Sequence, residues 1–427
     1  MRPVIVAEHA SARFGGEAML PLQYFRHLRR RGVDVHLVVH ERTRAELAAL
    51  FPDDHDRIHY VPDTWLHRLL WWLGRPLPNR VRVFTTGWLL HLVTQLHQRP
   101  IVRRLVREHG VNVVHEPTPV SPRMPSLMYD VGAPVIIGPM NGGMSYPPAF
   151  RHMESRAERL AVGVGRRWAD LLNWLLPGKR RAALLLVANA RTRRALPSGL
   201  CPNVMELVEN GVDTDQWTPG ADRRAPAGGP VRFVFVGRLV DWKAVDLLFE
   251  AFAAAAARVP CRLDVIGDGP LRPALERQCH ALGIAGLVTF HGFVPHAACR
   301  DHMRAAAALV LPSLYECGGA VVLEAMALGL PAIVTDWGGP ADYVRDEWGI
   351  RVPPAGRDRL ISGLAEAMVR IADSPEERAQ LGARAQAVAR DVYAWSAKVE
   401  RVLTLYGAVL EASPGRPRAS AAGEPLC

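Results

Sequence analysis

Residues 311–329 read LPSLYECGGAVVLEAMALG, an apolar run that stops at Pro312-Ser313, turns through Cys317-Gly318-Gly319 and restarts with helical spacing. Such a passage suits a parallel strand delivering the chain into a helix, and it commits the fold to helices layered on a sheet. The glycines let backbone approach a ligand with no Cβ in the way, while the fresh helix start presents unpaired N–H groups and the positive end of its dipole. Together they make a seat for an anion. Glu316 and Glu324 lie eight residues apart, so one carboxylate precedes the helix and the other sits about two turns into it. A ligand crossing the helix mouth could touch both; alternatively, the glycines only ease a tight turn and both carboxylates are solvated.

The same order of strand, glycine and helix recurs along the chain, which at 427 residues is too long for one core. Residues 4–8 form a strand leading into Gly15-Gly16, and 19–31 is helical up to Gly32. Further strands are expected at 33–40, 111–115, 135–137 and 182–190, the last as the end of a first domain. Strands at 231–236, 262–266, 287–290, 308–311 and 331–334 then alternate with alanine-rich helices such as 244–257. The expected fold is α/β, with two Rossmann-like, doubly wound parallel-sheet domains facing across a cleft. Their expected spans are 1–200 and 201–391, followed by a helix at 392–412 and a tail at 413–427 too poor in apolar residues to order itself. Residues 221–230 read as a surface loop.

Two further segments bear on the anion seat. Residues 233–243, FVFVGRLVDWK, run an apolar strand through Gly237 and place Arg238 and Lys243 five residues apart at a helix entrance, where cations would meet a diphosphate. Residues 263–270, LDVIGDGP, are another strand broken by a glycine turn. At these residues the chain resembles the retaining glycosyltransferases of family 4, which have GT-B architecture. Their second half carries Gly-Arg-Leu…Lys, Gly-x-Gly-Pro and Glu-x7-Glu in this order, and Asn210-Gly211-Val212-Asp213 matches the interdomain motif that precedes them.

The resemblance implies a nucleoside-diphosphate sugar as donor, no cofactor or metal, and a glycan or lipid-linked acceptor. Arg238 and Lys243 would stabilise the leaving diphosphate, Glu324 the ribose, and Glu316 with the N–H groups of Cys317, Gly318 and Gly319 the transferred sugar. Phe293 and Val294 would meet the base by their backbone. Gly15 and Gly16, with Glu17 beside them, would lie near donor phosphate and acceptor, and residues 138–143 would form an acceptor-side loop. His115 would orient the acceptor hydroxyl or the sugar; a histidine at a strand end is otherwise structural. Retention is usually explained by front-side attack, with the leaving phosphate accepting the acceptor's proton. Gly318 stands where the commoner motif has Phe, so sugar specificity does not carry over, and the Glu-Cys-Gly-Gly form resembles members that build bacterial exopolysaccharide. Asp213-Thr214-Asp215 spells a metal-binding Asp-x-Asp but belongs to the Asn-Gly-Val-Asp turn. The final helix would cross back to the first domain.

Charge divides unevenly. Residues 1–200 hold 29 Lys and Arg against 15 Asp and Glu, whereas the remainder holds 23 against 27. A basic half faces an acidic partner: nucleic acid, anionic lipid or a phosphorylated acceptor, unless arginine content reflects only the genome's base composition. No nucleic-acid recognition motif is present, and the missing GxGxxG disfavours a nicotinamide cofactor. Residues 65–107 mix Trp65, Trp71, Trp72 and Trp88 with leucines and arginines. Leu66, Leu69, Leu70 and Leu73 share a helical stripe that either packs on the sheet or lies in an anionic membrane surface. Residues 151–181, basic and helical in pattern with Trp168 and Trp174, are a second candidate for membrane or acceptor contact. No apolar run approaches the roughly 18 residues of a spanning helix, and the N-terminus enters strand and loop too quickly for a secretion signal. The six cysteines form no CxxC pair and read as reduced thiols, so a cytoplasmic protein, peripheral on the inner membrane face, is expected. Competing readings are a sugar-nucleotide epimerase of the same fold, a phosphorylase holding pyridoxal phosphate through a lysine, or a non-catalytic sugar-nucleotide-binding component of a polysaccharide assembly.

Overall fold

The computed structural model describes residues 1–76, 83–154, 156–220 and 229–412. Short Val-, Ile- and Leu-rich runs, buried on both faces, form parallel strands, because helices cover each sheet on both sides. The first sheet has seven strands: β1 (Pro3–Val6), β2 (His36–His40), β3 (Ile58–Val61), β4 (Val113–Glu116), β5 (Val135–Met140), β6 (Leu184–Val187) and β7 (Val204–Glu206). They lie side by side as β3-β2-β1-β4-β5-β6-β7. In the six-stranded second sheet, β8 (Val231–Val236), β9 (Cys261–Ile266), β10 (Val288–Gly292), β11 (Ala308–Leu311), β12 (Ala332–Thr335) and β13 (Gly349–Val352) lie as β10-β9-β8-β11-β12-β13. Register pairs Ile5 with Leu37 and with His115, and Phe233 with Leu263 and with Ala308.

The element boundaries differ from the sequence expectation at identifiable places. β7 pairs with β6, Leu185 opposite Val204, so the first sheet runs past residue 200 and the 182–190 strand is not its last. β7 is half-exposed and short, and lacks the apolar run by which a buried strand is read. β13 has the same defect in GIRV and escaped notice likewise. The stretch expected as one aromatic, basic unit is two helices, Trp65–Gly74 and Trp88–His109. Most of the loop at 221–230 and the tail at 413–427 lie outside the described residues. No described helix is long and apolar enough to cross a membrane.

The last helix, Trp395–Ala412, packs Trp395, Val399, Val402 and Tyr406 into the first domain's core, although the chain reaches it from the second. Its approach is pinned by a bridge between Val212 and Ala394 and by Trp395 beneath Gly211, where a Cβ would stand 2.9 Å from the indole. Lys398, buried in the same crossing, donates to the carbonyl oxygens of Val208 at 2.6 Å and Asn210 at 3.3 Å.

Within the second domain, the loops after β8 and β9 interlock by backbone alone. Gly267 has φ +124°, and a Cβ there would lie 2.0 Å from the Gly237 carbonyl oxygen; one at Gly269 would lie 2.3 Å from that of Leu239. The Gly267→Ala variant is therefore expected to lose ~3 kcal/mol or more of stability, measured by chemical denaturation. An unchanged midpoint would show that the loops do not lock.

Candidate functional site

Both sheets reverse strand order beside their first strand, between β1 and β4 and between β8 and β11. Ligands of open parallel sheets bind in the crevice beyond the carboxyl ends at such points. Here the loops leaving the two crevices meet.

On the second domain's side, Lys243 ends the short turn Asp241–Lys243, and its Nζ donates to Glu316 Oε2. Both partners keep partial access to solvent, at 13% and 19% of their side-chain surface. Leu314 N donates to Trp242 O at 2.8 Å, so the two loops are also fastened through backbone. Gly237 lies beside this pair, its Cβ direction 3.7 Å from Lys243 Cε. Arg238 next to it is exposed, with no side-chain partner among the described residues.

Helix Ala320–Ala327 begins at Gly319, whose φ of +83° only glycine adopts without strain, and no side chain caps its first N–H groups. Those donors remain for a ligand. Half-buried Glu324, on the same helix, has no side-chain partner among the described residues, and burial pushes its carboxyl up to about 7. Burial and then the Glu324 charge push the Cys299 thiol up to about 12, so Glu324 lies close to helix His296–Arg304, which a short loop precedes. In that loop Phe293 is 87% exposed and Val294 half-buried. Cys317 is exposed, and desolvation, then the carboxylates of Glu209, Glu316 and Glu17, with Arg191 opposing, push its thiol up to about 11, which disfavours the thiolate.

Across the crevice, Gly15 caps helix Gly16–Arg30 with φ +99°, and Cβ atoms on Gly15 or Gly16 would meet nothing within 4 Å. The space before them is open. Glu17 Oε1 accepts from Val120 N at 2.9 Å, tying this loop to the one after β4.

The domains are joined through Glu209, Tyr343, Arg191 and Asp342, which the sequence reading did not single out, together with Asn141 and Asn210, which lie in motifs it did. Glu209 is buried, and its Oε1 accepts from Asn141 Nδ2 at 2.6 Å, Asn210 Nδ2 at 2.9 Å and Tyr343 Oη at 3.2 Å. Asn141 Nδ2 also donates to Cys317 O at 2.9 Å, so the loop expected to contact acceptor hydroxyls instead grips the Glu-Cys-Gly-Gly turn. Farther along, Asp342 Oδ2 accepts from Asn189 Nδ2 at 2.8 Å and Arg191 at 3.2 Å. Glu209 adjoins the interdomain motif and could have been suspected; Arg191 and Asp342 are 151 residues apart, and no local pattern links them.

His115 requires a correction. It is fully buried, Nε2 donating to Gly138 O and Nδ1 accepting from Tyr406 Oη, each at 2.6 Å, and burial pushes it down to about 4. With both nitrogens engaged it anchors the final helix and touches no cleft. The strand-end position was legible, but not that the returning helix covers it. Lys179 and Lys398, the lysines outside the Lys243 loop, are likewise buried, and Lys179 donates to Pro122 O at 2.6 Å. Neither is free to hold a cofactor.

Among the described residues, one group has the composition of a metal site: ligand atoms of His40, Asp63 and His67 lie within 4.8 Å of one another. It fits an ion poorly. Arg42 holds Asp63 Oδ1 at 2.8 Å, and Thr64 and Thr94 occupy the two His67 nitrogens at 2.7 and 3.1 Å. The Asp213-Thr214-Asp215 segment is a turn in which Asp213 Oδ1 accepts from Asp215 N.

Residues 222–388 match the family model of the glycosyl transferases group 1. Among curated proteins, the chain is 33% identical over 237 residues to an alpha-D-kanosaminyltransferase of Streptomyces kanamyceticus, covering 53% of this chain and 60% of that one. It is 31% identical over 252 residues to a D-inositol 3-phosphate glycosyltransferase of Streptomyces griseus, covering 51% and 52%. The chain thus spans little more than half the length of these relatives. Among solved structures, Anabaena HepE in complex with UDP superposes with a TM-score of 0.63 at 16% identity, covering 96% of this chain and 100% of that one. Sucrose-phosphate synthase from Thermosynechococcus elongatus does so at 0.63 and 20%, with the same coverage. The two sheets and these neighbours make the fold GT-B, and residues 222–388, within the second domain, are similar to the glycosyl transferases group 1.

Gly318 explains its own departure from the commoner motif. A Cβ there would stand 2.2 Å from Asn210 Nδ2 and 2.4 Å from Glu209 Oε1, inside the joint between domains. Gly318→Phe is expected to lower stability by ~3 kcal/mol or more, read from thermal unfolding; a variant as stable as the parent would contradict this account.

Proposed function

We propose that this chain, with its GT-B fold and a second domain similar to the glycosyl transferases group 1, transfers a sugar from a nucleoside diphosphate to a hydroxyl of a glycan or lipid-linked acceptor, with retention at the anomeric carbon. The observation that carries this reading is the meeting of Lys243 with Glu316 beside the uncapped mouth of helix Ala320–Ala327. A diphosphate entering there would find Lys243, Arg238 and unpaired N–H groups together, while Glu316 is released to hold a sugar hydroxyl. Glu324 would accept from the ribose hydroxyls, and the backbone around Phe293 and Val294 would border the base. Gly15 and Gly16 supply room on the acceptor side.

In the reaction the bond from anomeric carbon to phosphate oxygen breaks, the acceptor oxygen bonds that carbon on the same face, and the acceptor's proton passes to the departing phosphate. This needs no protein base, which agrees with His115 being sealed in the core. Arg238 and Lys243 take the place a metal would have at the diphosphate. HepE of Anabaena, solved with UDP, makes a uridine nucleotide the first donor to test. The acceptor is read as a growing glycan on a lipid carrier, in polysaccharide or glycoconjugate assembly on the cytoplasmic face of a membrane.

Replacing Arg238 or Lys243 with Ala is expected to lower turnover of the matched donor by about 10²–10³-fold, the effect of removing one preorganised donor at a developing anion. Losses within about threefold would overturn the phosphate assignment. Because burial raises the Glu324 carboxyl to about 7, it keeps its proton at lower pH and becomes a full acceptor only above that value. Nucleotide affinity, measured by calorimetry, is therefore expected to rise as pH increases through 7, and the Glu324→Gln variant to lose that rise. The same raised pKa makes the folded chain hold a proton that the unfolded chain releases from about 4.5 upward, so this group subtracts stability progressively as pH rises from 4.5 to 7.

A further inference from the structure

We propose that helices Trp65–Gly74 and Arg156–Leu175 together form a docking face for an anionic lipid bilayer. The first helix is turned opposite to ordinary globular practice: His67, Leu70 and Gly74 face inward, while Trp65, Leu69 and Trp72 face solvent at helical spacing. Trp72 is 62% exposed. On the second helix Ala169 and Leu172 pack inward, leaving Val164, Trp168, Leu171 and Leu175 as an outer stripe, with Trp168 55% exposed. Every exposed tryptophan of the chain lies on these two helices.

Both helices lean on helix Trp88–His109. His67 Nε2 meets Thr94 Oγ1 at 3.1 Å, and Ala169 and Leu172 pack with Trp88 at that helix's start. Exposed Arg68, Arg75, Arg166 and Arg167 flank the aromatic side chains, Arg75 stacking over Trp71 at 5.1 Å, and helix Trp65–Gly74 carries no acid. Indole rings at headgroup depth with guanidinium groups on phosphates suit a lipid interface. A second copy of the chain would bring the same cations against themselves.

The face also connects with the cleft. Arg123 donates to Asp170 Oδ1 at 2.6 Å on the outer helix, while Val120, in the same loop, reaches Glu17 at 2.9 Å and Asn141 at 2.7 Å. A lipid-held acceptor would thereby be presented to the open side of Gly15 and Gly16, a consequence that rests on the transferase reading, whereas bilayer binding itself does not.

Flotation of the full chain with phosphatidylglycerol-containing vesicles at low salt tests the face. Recovery with vesicles is expected, falling at high salt, and falling about tenfold or more for Trp72→Glu with Trp168→Glu. These variants should keep the parent's melting temperature and nucleotide-induced thermal shift. No flotation, flotation unchanged by the variants, or equal binding to phosphatidylcholine alone would overturn the proposal. So would a dimer in light scattering that the variants dissociate, since a second copy would then own the surface. Flotation without sugar transfer would leave the docking face standing and remove only the transferase reading.

Discussion

The arrangement depends on one buried carboxylate. Two separately closed sheets share no ladder of hydrogen bonds, so side chains must fix how their crevices face each other. Glu209 does this by accepting from Asn141 of the first domain and from Asn210 and Tyr343 on the other side, while the same Asn141 amide reaches the Cys317 carbonyl. Burial raises the Glu209 carboxyl, chiefly by desolvation, and its donors together with nearby Lys398 oppose that shift. Breaking one partner would leave a polar group in a place water does not reach, which costs more than the bond contributes. Relative domain position is therefore set at the Glu-Cys-Gly-Gly turn as well as by the returning helix Trp395–Ala412.

From that joint the site follows. The turn that Asn141 grips is also the entrance to helix Ala320–Ala327, and its preceding carboxylate neutralises Lys243. A cation held by a carboxylate is already partly paired, so in the proposed reading a diphosphate would replace an existing partner instead of meeting a bare charge. Arg238, exposed and unpartnered among the described residues, makes no such exchange. Lys243 is oriented in advance by its neighbours, whereas ordering exposed Arg238 on any ligand would cost conformational entropy.

Much of this was legible because it is local. Glycine at 237, 267, 318 and 319 marks turns whatever the surroundings, and apolar runs mark the strands buried on both faces. The Lys243 and Glu316 loops could be placed side by side because strands of a doubly wound sheet end at one edge. What could not be read has the opposite character. His115 looked like a cleft residue because its strand end points there, yet helix Trp395–Ala412 returns from the other domain and covers it through Tyr406. Arg191 and Asp342 meet only because two domains close. β7 and β13 lack the apolar signal that half-exposed edge strands do without. The leucine stripe of residues 66–73 was visible, but which side of the helix would face water was decided by His67 finding Thr64 and Thr94 inside.

The link from Asn189 and Arg191 to Asp342 bridges the crevice beside the Glu209 joint. Any separation of the domains at this point would break both hydrogen bonds to the Asp342 carboxylate, each stronger than a neutral pair. Asp342 thus acts as a latch between the two crevices, and how readily they part depends on one carboxylate shared by an amide and a guanidinium.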